Sequence, residues 1–392
     1  MSTAESPGAQ APYARGRGGD ETRPTVADLG EEGLLARFAP LLPHADDEVV
    51  GTGDDCAVLA APDGRYAVST DVLVEGLHFR TDWSTPEQVG RRAAAQNLAD
   101  AAAMGARPTA LTVGLAMPGT TPVAWVEGMV AGMGEACREC GAGVVGGDLV
   151  GGPAIVISVT VLGDLQGRAP VLRSGARPGD AIVHVGAPGR SAAGLALLSA
   201  GTGEGDAPGF QGRGQESAPA GSARPLDAAT RAEARACLEA FRAPRPPLKA
   251  GPALARSGAS AMMDVSDSLL RDGERISRAS GVILDIDEPA RGSGALADAM
   301  ASLVPVARLL TDDEAAAAAI ARTWVLTGGE DHGMLATVPA EILGAPAGGT
   351  DGLPDGARVI GHVRAAGDGE LPGVRVGGRA PEAGLGWDHF GG

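Results

Sequence analysis

Short acidic residues occur in apolar or glycine-rich stretches at several places in this chain. They are Asp54 and Asp55 in GTGDDCAVLA, Asp71 in YAVSTDVLVEGLHF, Asp148 in VVGGDLV, and Asp264 and Asp267 in AMMDVSDSLL. A carboxylate buried in such surroundings is costly unless it is paired, and Lys249 is the only lysine available. For any one segment, an aspartate in a turn or helix cap is the simpler interpretation. Four such segments together favour a site for divalent cations, and an all-oxygen carboxylate set is typical of Mg²⁺ or Ca²⁺.

The spacing of the polar residues indicates how such a site would form. The GDD and GGD sequences place carboxylates at predicted strand ends, where glycine allows a ligand to approach the backbone. Ser69, Thr70 and Asp71 form a polar triplet within an apolar strand, and Asn97 and Asp100 are spaced to share one face of a predicted helix. If these groups converge, they form an oxygen cage for several divalent ions. Such a cage suits phosphoryl transfer, because the metals bridge the phosphates and offset the developing charge.

Three other segments contain candidate binding residues. His78 lies in EGLHF, Glu330 and Asp331 lie in TGGEDHG, and Trp387 lies in GLGWDHF near the end of the chain. The structural alternatives are a satisfied histidine for His78, a turn for the acidic pair, and a packing anchor for Trp387. The functional alternatives are a ligand role for His78 and stacking of the Trp387 indole on a planar ring.

The common nucleotide-binding and nucleophile motifs are absent. There is no GxxxxGK[ST] loop and no GxSxG elbow, and Lys249 in PPLKAGP is not the strand lysine of a protein kinase. GAGVVG at 141–146 matches GxGxxG in letters, but it follows a predicted helix and enters a predicted strand, the reverse of the dinucleotide-binding context. Cys137 and Cys140 have no second ligand pair, so we interpret them as residues of a helix face.

Composition limits the classes of partner. The chain has 392 residues, 44% of them hydrophobic, and a formal net charge of −17. Because nucleic acids and anionic membranes attract basic surfaces, the charge argues against both as partners. A phosphorylated substrate is compatible with this charge if metal ions mediate its binding. The polar, glycine-rich N-terminus is unlike a signal peptide, and no stretch has the apolar length of a membrane span, so a cytoplasmic location is predicted.

The order of elements predicts an α/β (α+β) protein of two domains. A helix at 31–40 and strands at 55–60 and 66–74 precede a long helix, in which Ser84 and Glu87 fit a capping box and Gly105 fits the stop. A strand, a helix and two strands complete an N-terminal metal- and nucleotide-binding domain, 27–165, which follows a disordered arm, 1–26. The C-terminal α/β domain, 166–392, contains further strands in DAIVHVG, GVILDID, MLATV and ARVIGHV. A Gly-, Ser-, Pro- and Ala-rich insertion at 201–230 is predicted to be disordered.

Eight segments in this order carry a family resemblance. They are GDDCAVL, STDVLVEGLHF, NLADAAAMGARP, GGDLV, RSGARPGD, DVSDSLLRD, TGGED and WDHF. The chain resembles the thiamine-monophosphate kinases, of the superfamily that includes aminoimidazole ribonucleotide synthetase and selenophosphate synthetase. The resemblance covers about residues 27–392 apart from the insertion. It implies a PurM-like fold, with a mixed N-terminal sheet covered by helices on one face, and ATP-dependent phosphorylation of thiamine monophosphate to thiamine diphosphate.

Roles for individual residues follow from the matched motifs. The implied magnesium ligands are Asp55, Ser69, Thr70, Asp71, Asp100, Asp148, Asp264 and Asp267, with Asp71, Asp148 and Asp267 as the catalytic members. The implied ATP contacts are Gly147, Asp148, Arg173 and Ser266, and the implied thiamine contacts are His78, Glu330 and Trp387. No covalent nucleophile is implied, since the γ-phosphate is transferred directly and in line. The resemblance also implies a homodimer formed through the first domain, and strands 66–74 and 154–163 are apolar enough to be shared.

The chain departs from the family pattern at a few positions. Ser268 follows Asp267 where the family has glycine, and a left-handed backbone there would be strained. His332 and Gly333 replace an aromatic residue and an acid, and the arginines of RAPRPPLK are displaced. Two rival functions remain. Another ATP-using enzyme of the superfamily is one, although the reactive cysteine and lysine expected near the N-terminus of a selenophosphate synthetase are missing. A non-catalytic nucleotide- or metal-binding protein is the other.

Overall fold

The computed structural model describes most of the chain. The described residues are 24–51, 56–201, 227–291, 294–343, 352–381 and 384–386. Residues 1–23 of the predicted arm, residues 202–226 of the predicted insertion, the Asp54–Asp55 pair and Trp387 therefore lie outside the described residues.

The first part of the chain has the predicted order of helices and strands. Its helices are α1 (Val26–Phe38), α2 (Pro86–Ala103) and α3 (Val123–Arg138). Its strands are β1 (Glu48–Val50), β2 (Val58–Leu59), β3 (Ala67–Val74), β4 (Arg107–Met117), β5 (Gly143–Gly151) and β6 (Val156–Asp164). The short β1, which pairs with β2, was not predicted.

Four of these strands form a mixed sheet in the order β3-β6-β4-β5. β4 and β5 are parallel, and the other pairs are antiparallel. One face packs against α2 and α3 around an aliphatic core that includes Leu73, Leu98, Leu111 and Ile157. The opposite face exposes apolar side chains. The predicted mixed sheet with helices on one face is thus confirmed.

Helix α2 begins one residue later than the sequence indicated. Ser84 and Glu87 were the expected capping pair, but Thr85 is the N-cap and Gln88 closes the capping box. Both pairs fit the motif, and the Thr85 register puts Pro86 at the first helical position, which proline tolerates best. Gly90 allows close contact with α3, since a Cβ there would overlap the carbonyl of Met129.

The second part of the chain contains a larger sheet. Its helices are α4 (Arg190–Ser199), α5 (Ala228–Arg242), α6 (Ala250–Arg256), α7 (Leu269–Ser280), α8 (Ala295–Ala307) and α9 (Glu314–Thr327). Its strands are β7 (Ala181–Val185), β8 (Ala261–Asp264), β9 (Ile283–Ile286), β10 (Met334–Val338), β11 (Ala357–Arg364) and β12 (Gly373–Val376). They pair in the order β12-β9-β11-β7-β10-β8. Strands β8 and β12 were not predicted.

The predicted end of the insertion at residue 230 is wrong. Helix α5 already begins at Ala228, and the Asp227 side chain caps it by accepting the backbone N–H of Thr230 at 2.7 Å. The sequence LDAATRAEA contains this N-cap signal, but the preceding low-complexity composition obscured it.

Helix α2 joins the two parts. Its Ala99 and Ala102 pack in one core with Met262 of β8 and Ala336 of β10. A Cβ at Gly251 of α6 would overlap the carbonyl of Ala102, so the two helices are in close contact. This packing brings β3, α2 and the end of β8 together. The expected domain boundary at 165/166 falls between β6 and β7, and we retain it as a proposal. Among the helices that the structure describes, none combines the length and apolar character needed to cross a membrane.

Candidate functional site

A group of acidic side chains forms where α2 meets the ends of β3 and β8. Ser69 on β3 donates its hydroxyl hydrogen to Asp100 Oδ2 on α2 at 2.7 Å. Asn97, one helical turn earlier, accepts the backbone N–H of Asp71 at 3.2 Å and donates to the carbonyl of Ala93 at 2.9 Å. Asn97 is fully buried, so it fixes β3 against the helix. The prediction that Asn97 and Asp100 share a face is confirmed.

The carboxylates of this group repel one another in a desolvated setting. Burial raises the pKa of Asp100 to about 7, and the charges of Asp264 and Asp71 add to that shift. Burial also raises the pKa of Asp71, and the charges of Asp264 and Glu330 act in the same direction. Closely spaced acids with raised pKa values lower the stability of the folded protein. Such groups are typical of functional sites. A bound cation would relieve the repulsion.

The expected single cage is not present among the described residues. Within them, no group of three or more His, Cys, Asp or Glu side chains is arranged to hold a metal ion. Thr70 lies on the opposite face of the sheet from Asp71, where its hydroxyl is 2.7 Å from that of Thr160. The strand registers place Asp148 in the same row as Val72, which is also on that opposite face. The side chains of Thr70 and Asp148 therefore do not join the group around Asp100.

The turn after β8 orders the second acidic motif. Asp272, which is fully buried, accepts the backbone N–H groups of Asp267 and Ser268 at 3.0 and 3.1 Å. Arg275 pairs with the carboxylates of both Asp267 and Asp272. Asp267 is thus held by Arg275 of α7, the helix that follows it, and lies close in sequence to Asp264.

Ser268 does not adopt the left-handed backbone that would have been strained. Its φ of 166° is extended backbone, and its side chain caps α7 by accepting the N–H of Arg271 at 2.9 Å. The Ser268 hydroxyl also donates to the carbonyl of Leu385. The serine that replaces the family's glycine therefore holds the C-terminal segment against the start of α7.

A cavity of about 700 Å³ opens next to these motifs. Both parts of the chain line it, and its walls include two of the predicted substrate residues, His78 and Glu330, and the predicted ATP residue Ser266. His78 accepts the backbone N–H of Val74 through Nδ1 at 3.0 Å. Gly386 also lines the cavity, but Trp387 lies outside the described residues, so its stacking role stays a prediction.

The Glu330 loop has an uncommon backbone conformation. Glu330 and His332 have φ values of 66° and 49°, which cost non-glycine residues on the order of 1–3 kcal/mol each. Hydrogen bonds from their N–H groups to the carbonyls of Ser266 and Val265, at 2.7 and 2.9 Å, hold the loop in place. Asp331 anchors it further by accepting the N–H of Gly189 at 2.6 Å. Strain of this kind persists where surrounding contacts fix it, often at binding sites.

Two cations approach the Glu330 carboxylate. Arg92 Nη2 lies 2.6 Å from Glu330 Oε2, and His332 Nε2 lies 3.8 Å from the same oxygen. Burial would raise the pKa of Glu330, but Arg92, His332 and His78 lower it to about 2. Burial would also lower the pKa of His332, but its contacts with Glu330 and with Asp264, at 3.3 Å, raise it to about 10. The contact between the two groups therefore favours an ionised Glu330 and a protonated His332.

An aromatic wall completes the cavity. Trp83 and Phe241 pack edge to face with ring centroids 6.3 Å apart, and Arg80 lies 4.4 Å above the Trp83 ring. The wall and Arg92 were missed by the sequence analysis. Residues 83 and 241 belong to different parts of the chain, so no spacing links them. For Arg92, a signal existed, since a charged residue within the alanine-rich run RRAAAQNLADAAA requires a buried partner.

The remaining predicted ATP residues lie away from this cavity wall. Gly147 is on β5, where a Cβ would overlap the carbonyl of Val113, so the neighbouring strand requires glycine there. Arg173 is exposed on the loop before β7, and its carbonyl accepts the hydroxyl of Ser280 at 3.0 Å. Their roles, and that of Asp55 outside the described residues, stay predictions.

Comparisons with known proteins find relatives of this chain in both sequence and structure. Residues 53–165 match the family described as AIR synthase related protein, N-terminal domain. The thiamine-monophosphate kinase of Mycobacterium tuberculosis is 41% identical over 368 residues, which are 94% of each chain. The crystal structure of thiamine-monophosphate kinase from Stenotrophomonas maltophilia is 27% identical, with a TM-score of 0.65 over 89% of this chain and 96% of that one. The structure of AaThiL complexed with AMPPCP and TMP is also 27% identical, with a TM-score of 0.64 over 93% and 98% of the two chains.

Proposed function

This chain belongs to the thiamine-monophosphate kinase family, and we propose that it transfers the γ-phosphate of ATP to thiamine monophosphate, giving thiamine diphosphate and ADP. The observation that carries the proposal is an acidic group from both parts of the chain, Asp71, Asp100 and Asp264, which His332 connects to Glu330 in the wall of the cavity. The acidic group suits the polyphosphate of ATP with its cations, and the cavity suits the organic substrate. The AaThiL complex with an ATP analogue and TMP supports the same pair of substrates.

Magnesium is the cation that these residues fit. The donors are oxygen atoms only, and burial together with the neighbouring carboxylates raises the pKa values of Asp100 and Asp71. Mg²⁺ is usually held by one or two carboxylates together with water and substrate phosphates, so it does not require a cage made by the protein alone. One or two of Asp71, Asp100 and Asp264 would hold it here together with water and substrate phosphates, since the described residues form no complete cage. Asp267, three residues after Asp264, is a further ligand that the family motif proposes. When bound, the ion offsets the charge of the transferring phosphoryl group.

The cavity provides the site for the thiamine moiety. Its Trp83 and Phe241 side chains offer an apolar wall to a planar ring, while the ionised Glu330 offers a hydrogen-bond acceptor and a negative charge. Thiamine combines an aminopyrimidine, which has N–H donors, with a cationic thiazolium ring, so it matches both features. Trp387 is proposed as a second stacking residue on the basis of the family motif.

Direct transfer requires positioning more than proton chemistry. In phosphoryl transfer the protein mainly aligns the two phosphates and stabilises charge. Ser266, which accepts the Glu330 N–H at 2.7 Å, connects the substrate loop to the proposed ATP contacts. Gly147, Asp148, Arg173 and Ser266 are the ATP contacts that the family motifs propose. Both substrates are small molecules, and the proposed compartment is the cytoplasm.

We further propose a homodimer that pairs the open faces of the N-terminal sheets. Val68, Val72 and Val150 are respectively 63%, 46% and 49% exposed on that sheet. Large apolar patches are typical of interfaces between subunits. Such pairing would place the face that includes Thr70 and Asp148 next to the partner subunit.

A product assay tests the proposed activity. Purified protein with ATP, Mg²⁺ and thiamine monophosphate should form thiamine diphosphate and ADP in equal amounts. Asp71→Asn should abolish the product without lowering the thermal unfolding temperature, because the change removes a desolvated charge with almost no change in volume. ATP and thiamine monophosphate that bind without forming product would instead favour the non-catalytic alternative.

A further inference from the structure

Arg92 is a buried cation that crosses between the two parts of the chain. It lies on α2 and is only 3% exposed. Its Nη2 is 2.6 Å from Glu330 Oε2, its Nη1 donates to the carbonyl of Phe241, and its guanidinium carbon lies 4.6 Å from the Phe241 ring centroid. All of these contacts are with the C-terminal part, and Arg92 itself lines the cavity.

The partner of Arg92 remains accessible from the cavity. Glu330 lines the cavity, and its side chain retains 39% exposure although its loop is fixed in a left-handed conformation. Arg92 and His332 both approach Oε2. These two contacts restrict the rotation of the carboxylate, and both involve Oε2.

Another arginine on the same helix provides a contrast. Arg91 is similarly buried, at 6% exposure, and pairs with Glu135 and Glu139 at 2.8 and 2.9 Å. Those acids lie at and just beyond the end of α3 in the N-terminal part, and Arg91 does not line the cavity as the described residues define it. If the buried arginines on α2 served only to pair with acidic side chains, both would do so equally well. Only Arg92 contacts an acidic residue that lines the cavity.

We propose that Arg92 is a positioning residue for substrate recognition: it holds Glu330 by Oε2 so that Oε1 is presented to the thiamine ring system. This inference rests on the proposed function, because it assigns the cavity to thiamine monophosphate. A carboxylate held in one orientation binds N–H donors or a ring cation more tightly than a free one, since its side-chain freedom is already restricted. Arginine suits this role because its planar fork can bind Glu330 and the Phe241 carbonyl at the same time.

The test compares Arg92 with Arg91 in binding and kinetics. Calorimetry gives the Kd for thiamine monophosphate, steady-state kinetics give the two KM values, and thermal unfolding gives Tm. Arg92→Met should raise the Kd for thiamine monophosphate about twofold to tenfold, the cost of ordering one side chain on binding. Arg92→Lys should raise it less, and the KM for ATP should change little in both. Arg91→Met should lower Tm comparably without changing the Kd for thiamine monophosphate.

A double-mutant cycle separates positioning from general packing. In a Glu330→Gln background, Arg92→Met should have little additional effect on the Kd for thiamine monophosphate, because its partner is already altered. If Arg92→Met does not fold, the same cycle with Arg92→Lys decides the question.

Two results would overturn the positioning role. One is an Arg92 variant with lowered Tm and an unchanged Kd for thiamine monophosphate. The other is an effect of equal size with and without Glu330. Wild-type protein that binds thiamine monophosphate but forms no thiamine diphosphate would contradict the proposed activity. It would leave the positioning role of Arg92 standing, because the double-mutant cycle measures only binding.

Discussion

Replacing Asp100 by asparagine should stabilise the metal-free protein while removing its activity. The carboxylate on α2 is nearly isosteric with the amide, and an asparagine Oδ1 can still accept the Ser69 hydroxyl that now lies 2.7 Å away. What changes is the charge, which in the folded protein is desolvated and repelled by Asp264 and Asp71. A folded-state pKa above the unfolded value means that the folded state resists ionisation.

The size of the effect follows from the pKa of about 7. Against an unfolded value of about 3.9, the shift is about 3 units, or about 4 kcal/mol at pH 8 as an upper limit. The cost develops as pH rises from about 4 to 7, so at pH 5 only about 1.5 kcal/mol of it is present. Asp100→Asn should therefore unfold several degrees above wild type at pH 8, and the gain should shrink at pH 5.

Thermal unfolding without metal at both pH values, together with the thiamine diphosphate assay, checks this prediction. Asp368→Asn, at an exposed site in the turn between β11 and β12, is the matched control and should change neither quantity. An Asp100→Asn protein that is less stable than wild type at pH 8 would refute the electrostatic reasoning. Full activity at saturating Mg²⁺ would refute its assignment to the metal site.

Three further predictions concern the substrate wall, the Glu330 loop and the subunit contact. Trp83→Ala should raise the KM for thiamine monophosphate about fivefold to hundredfold and leave that for ATP unchanged, with Trp83→Phe recovering much of the loss; equal KM values for wild type and Trp83→Ala would exclude ring stacking. Burial raises the pKa of Asp331 to about 7, so wild-type stability should fall relative to Asp331→Asn between pH 4 and 7 in denaturant titrations, and a constant difference would contradict this. Wild type should have a dimer mass by light scattering at micromolar concentration and Val72→Glu a monomer mass, whereas a monomeric wild type would exclude the proposed interface.

The sequence predicted the local geometry of the acidic group but only part of its assembly. Helical spacing placed Asn97 beside Asp100, and both contact β3 as expected. Strand alternation also contained information that the motif analysis did not use, because Thr70 must face away from its neighbours Ser69 and Asp71. The motif analysis treated Ser69, Thr70 and Asp71 as one group, whereas the alternation of side chains along the strand places Thr70 on the opposite face.

Long-range partners account for most of what sequence reasoning missed. Arg92 meets Glu330 across 238 positions of sequence, and no local pattern encodes that pair. The departure at Ser268 could not be interpreted without the fold, because its effect depends on a C-terminal carbonyl 117 residues away. Overlapping capping signals at Ser84 and Thr85 were both valid locally, and the position of the helix resolved them.

The most direct test of the central claim follows the transferred phosphate itself. In a single turnover with Mg²⁺, thiamine monophosphate and ATP labelled in the γ-phosphate, the label should appear in thiamine diphosphate with none attached to the protein. Arrival of the label as inorganic phosphate, or its retention on the protein, would contradict direct transfer to thiamine monophosphate in this site.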